Sequence, residues 1–160
     1  LKFEYLSENQ EYIPLVATWL HKEFIENSKP GISLENVILK LHSHQKQELP
    51  ITIIAKESDQ CIGTVSLFEN DFKGMESKPW LASLVVDKQH RGTGVGKELI
   101  SQITTIALNM GYKKLYLRTE HATEYYKKLG WSFVDKRTDE FGIKAEIFSK
   151  YICTGGIPTI

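Results

Sequence analysis

Cysteine is scarce in this chain of 160 residues, which carries two, and methionine is equally rare. Cys61 and Cys153 stand far apart, with neither the CxxC spacing of a metal or redox pair nor the density of a disulfide framework. A reducing, cytoplasmic setting is the expectation that follows. Neither sign of charge is in excess, since 20 basic side chains face 20 acidic ones. That balance leaves no net field to gather nucleic acid or a membrane surface, so neither is an expected partner. No apolar run approaches the roughly 20 residues of a membrane-spanning helix, and no secretory leader pattern opens the chain. His42 and His44 are two apart, do not share a helix face and make a poor metal pair, so no metal is expected. There is no internal repeat, low-complexity tract or interdomain linker. An apolar content of 41% with 25% charged residues is ordinary for a globular protein. The length suits one domain, which we expect over residues 1–153 with 154–160 as a C-terminal tail.

The pattern of apolar residues predicts the elements. KFEYL reads as a first strand, and Ser7 with Gln10 as a capping box for a helix bearing Ile13, Val16, Ala17, Leu20 and Phe24 on one face. Ser33 opens a second helix with Leu34, Val37, Ile38 and Leu41. ITIIAKE and QCIGTVSLFEN are strands about a turn at Ser58-Asp59-Gln60, followed by the loop NDFKGMESK. Pro79 to Val86 is a strand, and Val95, Leu99, Ile100, Ile103, Ile106, Ala107 and Met110 mark a helix ended by Gly111. Lys113 to Thr119 is a further strand. Ala122, Tyr125, Tyr126 and Leu129 share a helical face that Gly130 terminates, and two last strands follow around Gly142. A hairpin region feeding strand, helix, strand and helix implies an α/β fold, a mixed sheet with helices on both faces.

Between strand and helix lies HRGTGVGKE, with glycine at 92, 94 and 96. Alternating glycines weaken both kinds of element, so the turn needs bare backbone for another reason. The first amides of a helix have no internal acceptors and sit at the positive end of its dipole, which suits an anion such as a phosphate. Lys88, Arg91 and Lys97 place cations there. A triphosphate loop would need glycine at 91 and Ser or Thr at 98, where the chain has Arg91 and Glu98. A dinucleotide fingerprint would need a third glycine at 97, where Lys97 stands.

Gln89-His90-Arg91-Gly92-Thr93-Gly94, and the overlapping register Arg91 to Gly96, resemble the Q/R-x-x-G-x-G/A signature of the GNAT superfamily of acyl-CoA-dependent N-acyltransferases. Tyr125-Tyr126-Lys127-Lys128-Leu129-Gly130-Trp131 resembles the second recurring phrase of that superfamily, a tyrosine-bearing helix stepping through Gly-aromatic into a strand. The likeness is close over about residues 79 to 135. It implies a single-domain fold with a central, mostly antiparallel mixed sheet whose splayed middle strands form the cofactor cleft.

The resemblance implies acetyl-CoA as cosubstrate and an amine as acceptor. Its pyrophosphate would rest on Arg91, Gly92, Thr93, Gly94, Val95, Gly96 and Lys97, and its pantetheine arm would run beside Leu84, Val85 and Val86. Tyr126, four residues before Gly130, matches the tyrosine that gives a proton to the departing thiolate. The glutamate that several members carry on the neighbouring strands has no counterpart in PWLASLVV or KKLYLRT, and Arg118 stands where one would fall. Glu69, Asp71, Glu76, Glu120 and His121 remain as candidate bases. The asparagine often found before the tyrosine helix is replaced by Thr119-Glu120-His121-Ala122. Cys61 lies in an apolar run without a neighbouring base, the setting of a packing residue rather than a nucleophile. The expected activity is acetyl transfer to a primary amine, such as a polyamine, an aminoglycoside or a peptide N-terminus. The competing reading, a non-catalytic acyl-CoA-binding module, draws on the missing carboxylate. Edge strands near the C-terminus suit a homodimer.

Overall fold

A computed structural model describes residues 1–152; Cys153 and the expected tail, 154–160, lie outside the described residues. Lys2–Tyr5 form β1. Ser7 and Gln10 do not form the expected capping box. Leu6–Glu8 and Gln10–Tyr12 are two 3-10 turns, Gln10 Nε2 donates to the Ser7 carbonyl at 3.4 Å, and Ser7 Oγ is buried without a partner. The helix α1 starts only at Ile13 and runs to Leu20, with Pro14 in its first turn. Proline is at ease there because it has no N–H to satisfy; a helix begun at Ser7 would drive its ring against the Gln10 carbonyl. Ser33 caps α2 (Leu34–His42) as expected, accepting from the Asn36 N–H at 3.1 Å while its own N–H donates to Asn36 Oδ1 at 3.0 Å.

The remaining elements are β2 (Ile51–Glu57), β3 (Gln60–Phe68), β4 (Trp80–Val86), α3 (Val95–Asn109), β5 (Lys114–Thr119), α4 (Thr123–Lys128), β6 (Ser132–Thr138) and β7 (Lys144–Tyr151). They build one seven-stranded sheet in the order β1-β2-β3-β4-β5-β7-β6. Every neighbouring pair is antiparallel except β4 and β5, which are parallel. The mixed, mostly antiparallel sheet read from the sequence is therefore the observed one.

Strand alternation divides the core between the two faces. Ile51, Ile53, Val65, Leu67, Leu81, Leu115, Leu117 and Phe148 pack with Val95, Leu99, Ile103 and Ala107 of α3 and with Tyr126 of α4. On the other face Ile54, Cys61 and Val85 meet Val16, Leu20, Val37 and Leu41 of α1 and α2. Beyond those helices the same face is covered by the β3–β4 loop, whose Phe72 packs on Trp80, Ala145 and Ile147. Gly63 lets α3 lie close on β3, since a Cβ there would come within 2.9 Å of Leu99 Cδ1 and 3.2 Å of the Val85 carbonyl oxygen.

Candidate active site

The parallel pair at the middle of the sheet holds together only at one end. Trp80, the first residue of β4, is in register with Tyr116, and the Tyr116 N–H donates to the Pro79 carbonyl at 3.0 Å. No residue of β4 after Trp80 has a register partner on β5. The edge of β4 facing β5 is thus left open from its middle to its C-terminal end. A bulge bends it further. Thr64 faces Val85 and Ser66 faces Ala82, so Val65 opposes two residues, Ser83 and Leu84. Ser83 takes φ 59°, a left-handed conformation that serine seldom adopts. Such strain persists only where the surroundings hold it, and it gathers at functional sites.

The glycine turn begins where β4 ends. Gly92 and Gly94 have φ of +79° and +90°, and a Cβ on either would meet nothing within 4 Å. Their backbone shape excludes most side chains, and open surface lies beside them. Gly94 is the N-cap of α3 and no side chain caps that end, which leaves the N–H groups of Val95, Gly96 and Lys97 without helical acceptors. Lys97 and Arg91 are exposed; Arg91 folds back so that its Nε donates to the Val86 carbonyl at 2.9 Å. Thr93 Oγ1 donates to the His90 carbonyl, and Val95 is buried against the sheet. Gly96 differs from the other two, because its absent side chain makes room for a tyrosine. A Cβ there would lie 3.2 Å from the Tyr125 hydroxyl and 3.8 Å from Val86 Cγ2.

The two tyrosines of α4 occupy different environments. Tyr126 is 8% exposed, with its ring edge-on to Trp131 at 6.0 Å and to Tyr125 at 5.2 Å. Burial, aided by Tyr125, pushes its hydroxyl up to about 12. Tyr125 is the more exposed at 41% and reaches across to the start of α3. Leu84 and Val86 line the same face as these tyrosines, whereas the Val85 side chain enters the core beneath α1 and α2.

Charged groups collect beyond the split, at the C-terminal end of β5. Arg118 donates to Asp139 Oδ2 at 2.9 Å, lies 3.8 Å from Glu120 and stacks 5.0 Å from the centre of the Phe72 ring. Asp139, in the β6–β7 turn, also accepts the N–H groups of Phe141 and Ile143, each at 2.9 Å. Burial opposes its charge, but the Ile143 N–H, Arg118 and the Phe141 N–H prevail and hold its carboxyl below the ordinary range. From the α1–α2 loop, Lys29 lies 5.4 Å from the centre of the Phe141 ring.

The open strand edge thus runs into the uncapped, glycine-rich helix start, where Tyr125 reaches Gly96 and Tyr126 is buried beside Tyr125. The model of the acetyltransferase (GNAT) family matches residues 13–131. The chain belongs to the GNAT family. Among its curated relatives, N-alpha-acetyltransferase 30 of Schizosaccharomyces pombe is 27% identical over 92 residues, covering 55% of this chain and 60% of the relative. N-acetyltransferase 8B of Homo sapiens is 30% identical over 83 residues, 49% of this chain and 37% of the relative. The matched region thus spans less than two thirds of either relative. The fold is shared over a greater length. An aminoglycoside 6'-N-acetyltransferase complexed with coenzyme A superposes with a TM-score of 0.75 at 18% identity, covering 100% of this chain and 99% of the other. A ribosomal-protein-alanine N-acetyltransferase from Brucella melitensis does so with a TM-score of 0.72 at 19% identity, covering 94% and 99%.

Thr119, in place of the frequent asparagine region, is buried and accepts the Ala122 N–H at 2.9 Å, shaping the turn into α4. Glu69 and Glu76 are exposed, Glu69 lying 3.5 Å from Lys78, and His121 is exposed as well. Cys61 is buried, its thiol pushed up to about 11 chiefly by that burial, which suits packing and not attack. His42 is exposed and His44 buried, so they do not converge, and no group of three metal-ligating side chains is found among the described residues. Nor is any helix among them long and apolar enough to cross a membrane.

Proposed function

We propose that this chain transfers an acetyl group from acetyl-CoA directly to a primary amine. The observation that carries the reading is the meeting of an open β4 edge with free α3 amides beside a tyrosine kept protonated by burial. The amides from Gly92 to Lys97 hold the pyrophosphate, with Lys97 and the unspent N–H groups of Arg91 adding charge. Leu84, Val85 and Val86 carry the pantetheine arm along the β4 edge that has no strand on the β5 side, where the Val86 carbonyl already accepts from Arg91. Bound acetyl-CoA supplies an activated acyl group on a thiol leaving group. Tyr126 gives its proton to the departing sulfur.

The relatives and fold neighbours bear names that point to an alpha nitrogen, a ribosomal-protein alanine and aminoglycosides. A panel of peptide N-termini, aminoglycosides, polyamines and amino acids therefore tests the reading. Free thiol should appear from acetyl-CoA with at least one amine class, and the acetylated amine should appear beside it in equal amount. Binding of acetyl-CoA with no thiol release over the whole panel would overturn it in favour of a binding module.

A further inference from the structure

Positive φ accounts for glycine at 92 and 94, whereas Gly96 has none. It is the second residue of α3 and has an ordinary backbone, so that alanine would serve the helix better. Its missing side chain leaves room for a hydroxyl. A Cβ there would come within 3.2 Å of Tyr125 Oη, close enough that the tyrosine would have to give way. Val86 Cγ2, at 3.8 Å, is the next neighbour and needs no such room.

Tyr125 reaches this point from the other side of the split. It belongs to α4, which follows β5, whereas Val86 ends β4 and Gly96 lies in the first turn of α3. Its ring stands edge-on to the buried Tyr126 at 5.2 Å, a contact that sets its direction. The residue is nevertheless exposed, and its hydroxyl makes no hydrogen bond among the described residues. Partial burial raises the pKa of that hydroxyl above the ordinary tyrosine value, so the proton stays in place. A donor with nothing to donate to therefore stands beside the N–H groups of Val95, Gly96 and Lys97, which also have no helical acceptors. Donors gathered at one point without an acceptor complement an anion.

We infer that the Tyr125 hydroxyl is a ligand of the cosubstrate, donating a hydrogen bond to its pyrophosphate in the acetyl transfer proposed above, on which the inference rests. Gly96 is glycine so that this hydroxyl can reach the start of α3. The anion is then held from both sides of the split, by the amides of α3 and by a side chain of α4. Adjacent helical residues do not share a face, and the two tyrosines divide the work accordingly. Tyr125 holds the cosubstrate, and Tyr126 gives its proton to the sulfur.

The test measures the dissociation constants of acetyl-CoA and of S-acetylpantetheine, which lacks the pyrophosphate, for the wild type and Tyr125→Phe, with the melting temperature of each. The truncated thioester is titrated by NMR at millimolar concentration. Tyr125→Phe should weaken acetyl-CoA roughly tenfold, the scale of one hydrogen bond to a charged group, and leave S-acetylpantetheine unchanged. The melting temperature should not fall, because the ring and its contact with Tyr126 remain. Gly96→Ala should weaken acetyl-CoA by a similar factor in the wild type, but by less than about twofold in the Tyr125→Phe background, where no hydroxyl is left to displace. Equal acetyl-CoA affinity in the wild type and Tyr125→Phe, or an equal loss for both thioesters, would overturn the inference while leaving the acetyl transfer intact. So would the same loss from Gly96→Ala in both backgrounds. A wild type that binds no acetyl-CoA would overturn the transfer itself, before any variant is compared.

Discussion

Tyr126→Phe should lower kcat by roughly 10²–10³-fold while leaving the acetyl-CoA Kd within about twofold, the range expected when a single proton donor is removed. The substitution deletes one hydroxyl and keeps the ring that packs against Trp131 and Tyr125. Replacement by alanine would instead open a cavity in the core shared with α3 and lower stability for reasons unrelated to chemistry. Because the hydroxyl titrates at about 12, Tyr126 keeps its proton across any ordinary assay range. It can give that proton to a thiolate but cannot serve as a resting base, and it adds no alkaline decline to the rate below about pH 11. Steady-state thiol release and acetyl-CoA titration on the two proteins check this. Equal turnover would remove Tyr126 from the reaction.

The second large effect is on stability. The fold should lose about 3 kcal/mol between pH 6.5 and pH 4 through His44 alone, taking one pKa unit as 1.36 kcal/mol. His44 follows the end of α2 and is 8% exposed. Its Nδ1 lies 2.6 Å from Thr52 Oγ1, which in turn lies 2.7 Å from Ser66 Oγ, so the ring joins a buried polar chain running onto β2 and β3. Burial, and secondarily Lys40, lower its pKa to about 4 from 6.5 in the free side chain. Between those values the unfolded chain binds a proton that the folded one refuses. Stability is therefore complete above pH 6.5, falls as the pH drops and loses nothing more from this group below about 4. Asp71 acts in the opposite sense, since its raised carboxyl binds a proton first in the folded state and favours the fold as pH falls through 6. Comparing wild type with His44→Gln isolates the histidine. Urea unfolding over this window should show a slope in the wild type that the variant lacks, and parallel curves would contradict the assignment.

Much of the site is local in sequence and was legible there. Strand, glycine turn, helix, and the tyrosine helix closed by Gly130 are written in contiguous residues, and the observed elements follow them closely. Pro14 was a legible signal too, and it outweighs the Ser7 and Gln10 spacing because its ring forbids an earlier helix start. Other features depend on residues distant in the chain. The bulge at Ser83 arises from pairing with β3, and nothing about a serine announces a positive φ. Arg118 looked from its strand like a substituted catalytic position, yet it serves to bind Asp139 and cover Phe72, 21 residues away in the one case and a strand away in the other. Gly96 looked like its two neighbours, and only the fold brings Tyr125 onto it.

The claim on which the rest depends is that acetyl-CoA lies along the open edge of β4 and over the start of α3. Amide hydrogen exchange measured with and without acetyl-CoA tests it most directly, because the N–H groups of Val95, Gly96 and Lys97 have no helical acceptors and should exchange freely in its absence. Acetyl-CoA should slow exchange at Leu84 to Val86 and at Gly92 to Lys97, with β1 and β6 unchanged. Protection that falls elsewhere, with these two segments exchanging as before, would contradict the placement of the cosubstrate.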